Sequence, residues 1–185
     1  MASLREEFLQ SVASPYVYNY PPTRLYRPIQ VPTLTKECLT RRVNLYVHIP
    51  FCEQKCTFCG YLTVVDTSEK LRKRYVEALC HEIRLYAPLL SGCEIASVNF
   101  GGGTPSLLSA EEVGEILATI ADINPQMFVS ASEISIEATP ETVTFEKFAA
   151  YRRLGINRVS LGVQTFATKE IQAVKRHNPP QVSYA

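Results

Sequence analysis

Residues 43–59 read VNLYVHIPFCEQKCTFC, an alternating run that breaks at Pro50 into three closely spaced cysteines, Cys52, Cys56 and Cys59. Leu45, Val47 and Ile49 fall on one face of the run and Tyr46 and His48 on the other, the period of a strand with one buried face. The chemistry of such a strand lies at its carboxyl end, where the thiols begin. Strand patterns follow at 95–100, 132–137 and 157–163, and helical periods near 68–86, 110–122, 140–154 and 168–176 alternate with them. The first helix carries an apolar stripe of Leu71, Tyr75, Leu79, Ile83 and Tyr86. The second opens on Ser109 with Glu112 three residues on, a capping box. The third is expected to open on Thr139 and Pro140 and to close at Gly155. Strands and helices in this alternation make a parallel sheet with right-handed crossovers.

Each later strand also has a polar face. Ser97 and Asn99 oppose Ala96, Val98 and Phe100; Glu133, Ser135 and Glu137 oppose Ile134 and Ile136. In the fourth strand Arg158, Ser160, Gly162 and Gln164 oppose Val159, Leu161 and Val163. A parallel strand covered on both sides is apolar nearly throughout. The apolar faces are therefore expected to take the helices, and the polar faces to line a barrel or open barrel around a polar ligand. A sheet with one solvated face is the plainer alternative.

Composition narrows the classes. The chain has 185 residues, 46% hydrophobic and 20% charged, with a net charge of +1, which describes a globular domain and gives no electrostatic reason to expect nucleic acid or an anionic membrane as partner. No apolar window reaches the ~18 residues of a membrane span, and no secretory leader pattern opens the chain. A cytoplasmic location is expected. Residues 1–42 read as an arm rather than a packed layer, with Tyr16, Tyr18, Tyr20 and Tyr26 among Pro15, Pro21, Pro22, Pro28 and Pro32. Residues 43–185 form the core domain.

Of the six cysteines, Cys38, Cys80 and Cys93 are scattered and read as small apolar residues. Cys52, Cys56 and Cys59 converge from one loop, and soft thiolates in a reducing compartment select an iron-sulfur cluster or zinc. Three ligands leave one iron of a 4Fe-4S cluster open to a small molecule, whereas a structural zinc site would need a fourth side chain such as His48 or His81.

The loop after the first strand resembles the signature of the radical S-adenosylmethionine superfamily. The text from Tyr46 to Cys52 is similar to oxygen-independent coproporphyrinogen III oxidases, as are Asn99-Phe-Gly-Gly-Gly-Thr-Pro105, Ser135-Ile-Glu-Ala-Thr-Pro140 and Arg158-Val-Ser-Leu-Gly-Val-Gln-Thr-Phe166. The resemblance implies a partial (β/α) barrel, with about four of about six units in this sequence. It implies that Cys52, Cys56 and Cys59 hold a 4Fe-4S cluster and that S-adenosyl-L-methionine chelates the fourth iron, to be cleaved reductively to a 5′-deoxyadenosyl radical. Gly101, Gly102, Gly103 and Thr104 then lie against the methionyl group, Glu137 orients the cofactor, and Gln164 meets its ribose. Phe58 and Gly60 flank adenine, Tyr46 contacts the cofactor region, and Arg176 lies near its carboxylate. From the residues alone, the glycine run is equally a tight strand-to-helix turn, Phe58 equally core, and Arg176 equally a solvated helix end. No residue is assigned to substrate chemistry.

The same resemblance implies a tetrapyrrole or other small-molecule substrate and an electron donor such as flavodoxin or ferredoxin. Coproporphyrinogen oxidases carry another cysteine two residues after the third ligand, where this chain has Tyr61. Radical methyltransferases or cyclopropanases, haem-degrading enzymes and non-catalytic haem- or metal-binding modules therefore stand as alternatives.

Overall fold

The computed structural model describes residues 42–65, 67–90, 92–128, 133–174 and 176. The proline- and tyrosine-rich arm, save Arg42, lies outside the described residues. Along the chain come β1 (Arg42–Ile49), α1 (Glu69–Leu85), α2 (Ala87–Leu90), β2 (Glu94–Gly102), α3 (Ala110–Ile123), β3 (Glu133–Ala138), α4 (Phe145–Arg153), β4 (Arg158–Leu161) and α5 (Thr168–Ala173). The strands form one sheet in the order β1-β2-β3-β4, and all three pairings are parallel. Sequential order with helical crossovers brings every strand's carboxyl end to the same edge.

One face of the sheet is the core. Val47, Ile49, Val98, Phe100, Ile134 and Ile136 are each no more than 5% exposed and pack with Val113, Ile116, Leu117 and Ile120 of α3. The stripe expected on α1 is present but offset: Val76 and Cys80 lie deepest, with Leu71, Tyr75, Leu79 and Ile83 partly buried beside them and Tyr86 exposed. The capping box at α3 forms in both directions, Glu112 N–H to Ser109 Oγ at 3.2 Å and Ser109 N–H to Glu112 Oε2 at 2.7 Å, which satisfies donors the helix start leaves unpaired.

Three expectations are corrected. The helix expected over 140–154 divides into a 3₁₀ turn, Pro140–Thr142, and α4. Thr142 folds back on Thr139 by donating to its carbonyl at 2.9 Å, Val143 is extended, and the Thr144 hydroxyl caps α4 by accepting from Lys147 N–H at 3.2 Å. The close of α4 stands, with Gly155 at φ +96° and Ile156 N–H returning to Tyr151 O. Ala96 does not join the core face, because a bulge pairs Val43 with Ile95 and Asn44 with Ser97, and Ile95 is buried instead. The apolar face of β4 is not covered: Val159 and Leu161 are 40% and 43% exposed, since β4 is an edge of the described sheet and α5 buries only Ile171.

Candidate functional site

The polar face is laced across the strands. Ser97 Oγ donates to Asn44 Oδ1 at 2.9 Å, Asn99 Nδ2 to Ser135 Oγ at 2.7 Å, and Arg158 pairs with Glu133 at 2.7 Å. At the carboxyl edge this ladder stops and the residues singled out from the sequence gather.

The ends of β1 and β2 are fastened together below the cysteine loop. Gly103 N–H donates to Ile49 O at 2.8 Å and Thr104 N–H to Phe51 O at 2.7 Å. Cys52 N–H donates to Val64 O and Val64 N–H to Pro50 O, so the chain returns alongside the loop it has just made. A methyl group on Gly103 would lie 2.5 Å from Phe51 O and 2.9 Å from Cys52 Sγ. On Gly102, at φ +117°, it would meet the His48 ring at 2.7 Å, and on Gly101 the Tyr46 ring at 2.8 Å. The glycine run is thus required by the protein's own packing, which brings β2 against the base of the thiol loop.

Cys52 is buried, and Thr104, itself 8% exposed, aims its hydroxyl at Cys52 Sγ across 3.6 Å. Burial pushes the Cys52 thiol above its ordinary range and the neighbouring Cys59 and Cys56 add to the rise, against the Thr104 hydroxyl and the Arg176 charge. Burial likewise raises Cys56, and Arg176 again opposes it. The three thiols are therefore within electrostatic reach of one another and two of them within reach of one arginine. Among the described residues, no group of three His, Cys, Asp or Glu closes around a single metal ion, either within this trio or with His48 or His81 added. A cubane spaces its ligating sulfurs more widely than one ion does.

Two further groups converge on the rim. Tyr46, 58% exposed, is bonded to His48 Nδ1 at 3.2 Å. Its phenol is raised by partial burial and then by Glu137 and Tyr61, which places those two side chains near it. At the end of β4, the space beside Gly162 is filled by the Gln164 amide and the Arg176 guanidinium, and Gln164 adopts φ +68°. That left-handed backbone is unusual for a non-glycine residue and turns the chain at the strand's end. Arg176 is tied to the thiol loop through its own segment, for Thr57 N–H donates to Val174 O. Phe58 is 39% exposed and so is not core, and Gly60 is exposed. Cys80 is buried as expected, Cys93 is half-buried, and Cys38 lies outside the described residues.

Sequence reasoning missed two residues. Glu141 pairs with Arg176 at 3.9 Å. Lys147 donates to the carbonyls of Ser106 and Thr142, linking the turns that follow β2 and β3. Neither falls in a recognisable pattern, because each acts across elements far apart in the chain. A cleft of about 430 Å³ between α1 and α3 lies on the helical side of the sheet, and its lining includes two ion pairs, Lys73 with Glu69 and Arg72 with Glu112.

Parallel strands with outer helices, a three-thiol loop after the first strand and a glycine-lined rim describe one class of protein. The radical SAM superfamily model matches residues 46–184, and the chain belongs to that superfamily, whose cofactors are a 4Fe-4S cluster and S-adenosylmethionine. Among particular relatives, the heme chaperone HemW of Escherichia coli is 36% identical over 141 residues, covering 75% of this chain and 36% of that protein. The oxygen-independent coproporphyrinogen III oxidase of Escherichia coli is 38% identical over 132 residues, covering 71% of this chain and 28% of the other. The solved coproporphyrinogen III oxidase (HemN) from Escherichia coli superposes with a TM-score of 0.69 at 32% identity, covering 76% of this chain and 32% of that one. The fold is accordingly a partial (β/α) barrel of the radical S-adenosylmethionine type. The chain spans about a third of the length of these relatives. No helix among the described residues is long and apolar enough to cross a membrane.

Proposed function

We propose that Cys52, Cys56 and Cys59 ligate a 4Fe-4S cluster whose open iron takes S-adenosylmethionine, and that the chain supplies this part of a coproporphyrinogen oxidase-like radical reaction. The observation that carries the reading is the meeting of Cys52 with Thr104 and Gly103 at the carboxyl edge, within reach of Arg176. Soft donors, a rim with no room for a Cβ and a buried cation fit an anionic cluster with an amino-acid ligand. Held by Cys52, Cys56 and Cys59, the cluster would supply the single electron needed for reductive cleavage of S-adenosylmethionine to methionine and a 5′-deoxyadenosyl radical.

The chain's own residues bind and orient. The Thr104 hydroxyl donates to Cys52 Sγ and stabilises its thiolate, while Gly101, Gly102 and Gly103 keep β2 close enough for their backbone to meet the methionyl amino group. Glu137 and Tyr46, on the polar faces of β3 and β1, orient the nucleoside, Gln164 meets the ribose, and Arg176 meets the carboxylate. Phe58 and Gly60, on the exposed turn of the loop, flank the adenine. A tetrapyrrole is the substrate class favoured by the relatives, with a flavodoxin or ferredoxin as electron donor in the cytoplasm.

The presence of heme chaperones among the relatives favours one second reading, a haem-binding module without turnover. Anaerobic reconstitution with iron and sulfide tests both. About four irons per chain, a spectral shift on adding S-adenosylmethionine and 5′-deoxyadenosine after reduction support the first reading. Haem uptake with no 5′-deoxyadenosine supports the second, a chain that takes up one zinc and no iron overturns the first, and failure to take up haem overturns the second.

A further inference from the structure

Glu141 lies in the 3₁₀ turn Pro140–Thr142, just past the end of β3. Its Oε2 is buried and accepts no hydrogen bond, yet it faces Arg176 Nη2 at 3.9 Å. That distance makes an ion pair without a hydrogen bond. The Arg176 side chain is 6% exposed and that of Glu141 20%, so the pair is withdrawn from water and from the salt that weakens surface pairs. A buried carboxylate oxygen lacking a donor is unfavourable unless an opposite charge stands close by.

Both ends of the pair are anchored. On the Glu141 side, Thr142 donates to Thr139 O at 2.9 Å, and Lys147 donates to Thr142 O at 3.2 Å and to Ser106 O. On the other side, Arg176 N–H donates to Ile171 O at 3.0 Å, and Val174 O accepts from Thr57 of the cysteine loop. The guanidinium is thereby stationed where its charge reaches both Cys52 and Cys56.

We propose that Glu141 is a positioning residue that draws Arg176 Nη2 toward itself and so presents the remaining donors of the guanidinium to the carboxylate of the amino-acid ligand. The proposal rests on the reading that Arg176 meets that carboxylate. A guanidinium has five donors in a rigid fork, so engaging one nitrogen still leaves a fork for a second carboxylate. Arginine is otherwise a long side chain with much rotamer freedom to lose on binding. An arginine already held loses less, and the ligand binds more tightly.

The test is equilibrium binding to the full chain, anaerobically reconstituted with iron and sulfide, followed by cluster absorbance without turnover. The probes are S-adenosylmethionine and decarboxylated S-adenosylmethionine, which lacks the group Arg176 would meet. Glu141→Gln is expected to raise Kd for S-adenosylmethionine about threefold to tenfold and to leave the decarboxylated probe unchanged; Glu141→Asp, which keeps the charge, falls between. Arg176→Gln raises Kd further, and adding Glu141→Gln to it has no additional effect, because the second residue acts through the first. Wild-type binding by Glu141→Gln alongside weakened binding by Arg176→Gln overturns the proposal while sparing the reading of Arg176. Wild-type binding by Arg176→Gln overturns both. Equal weakening for the two probes marks general damage to the site and also overturns the proposal.

Discussion

Replacing Gly103 with alanine introduces a Cβ 2.5 Å from Phe51 O and 2.9 Å from both Pro50 C and Cys52 Sγ. Two of these three neighbours are backbone atoms and cannot rotate away. Relief requires β1 and β2 to part at their ends, where Gly103 N–H meets Ile49 O at 2.8 Å and Thr104 N–H meets Phe51 O at 2.7 Å. Overpacking costs about 1–3 kcal/mol, and each weakened hydrogen bond about 1 kcal/mol. The expected loss is about 3–5 kcal/mol, a fall in melting temperature of about 6–20 °C for a chain of this size. Two glycines serve as controls. Nothing lies within 4 Å of a Cβ on Gly92, so Gly92→Ala is near neutral, within about 0.5 kcal/mol. In α3, Gly114→Ala meets only the end of Leu154 at 3.2 Å and gains helix propensity of about 0.5–1 kcal/mol. Thermal and urea unfolding of the three variants, with iron content after reconstitution, provide the assay. Should Gly103→Ala melt within ~2 °C of the parent and hold its full iron, the close packing of β2 on the thiol loop is not what demands glycine there.

Tyr151 is buried, and its hydroxyl donates to Leu108 O at 2.9 Å; Tyr151→Phe leaves that carbonyl unpaired and is expected to lower the urea-derived stability by about 1–2 kcal/mol. For Lys147, burial first and then Arg72 hold the ammonium below its ordinary value of 10.5, against Glu112. In the window between that depressed value and 10.5 the unfolded chain binds more protons than the folded one, so stability rises with pH there; urea midpoints across that window should rise less steeply for Lys147→Met, and parallel profiles would refute the shift. Alanine at Cys52, Cys56 or Cys59 should abolish iron uptake as read by metal analysis, whereas Cys80→Ala should keep it. Stripping iron with a chelator should leave the far-ultraviolet circular dichroism unchanged, because the core that joins Val47, Val98 and Ile136 of the sheet to Ile116 of α3 includes none of the three cysteines.

The alternation of β1, the cap of α3 and the close of α4 were legible because each is written locally. Alternation from Leu45 to Ile49, the Ser109 and Glu112 pair and Gly155 all speak within a few residues of themselves. Of the residues expected at the site, Cys52, Thr104, Glu137 and Gln164 lie at or just past the carboxyl ends of their strands, and their roles rest on the proposed function. What escaped were relations across the chain. The bulge at Ala96 answers to the register with Val43, and the break after Thr142 answers to a threonine competing with the helix for backbone partners. The use of Glu141 shows only once residue 176 is beside it.

Ser106 and Thr142 share a hydrogen bond between their hydroxyls, and Lys147 grasps the carbonyl of each. The turn after β2 and the turn after β3 are therefore one mechanical part, though the sequence keeps them 36 residues apart. A chimera that imports the first turn from a relative without the second, or without the lysine, inherits a mismatched joint. Laboratory evolution of this rim should accordingly accept changes at the three positions in concert and reject them singly.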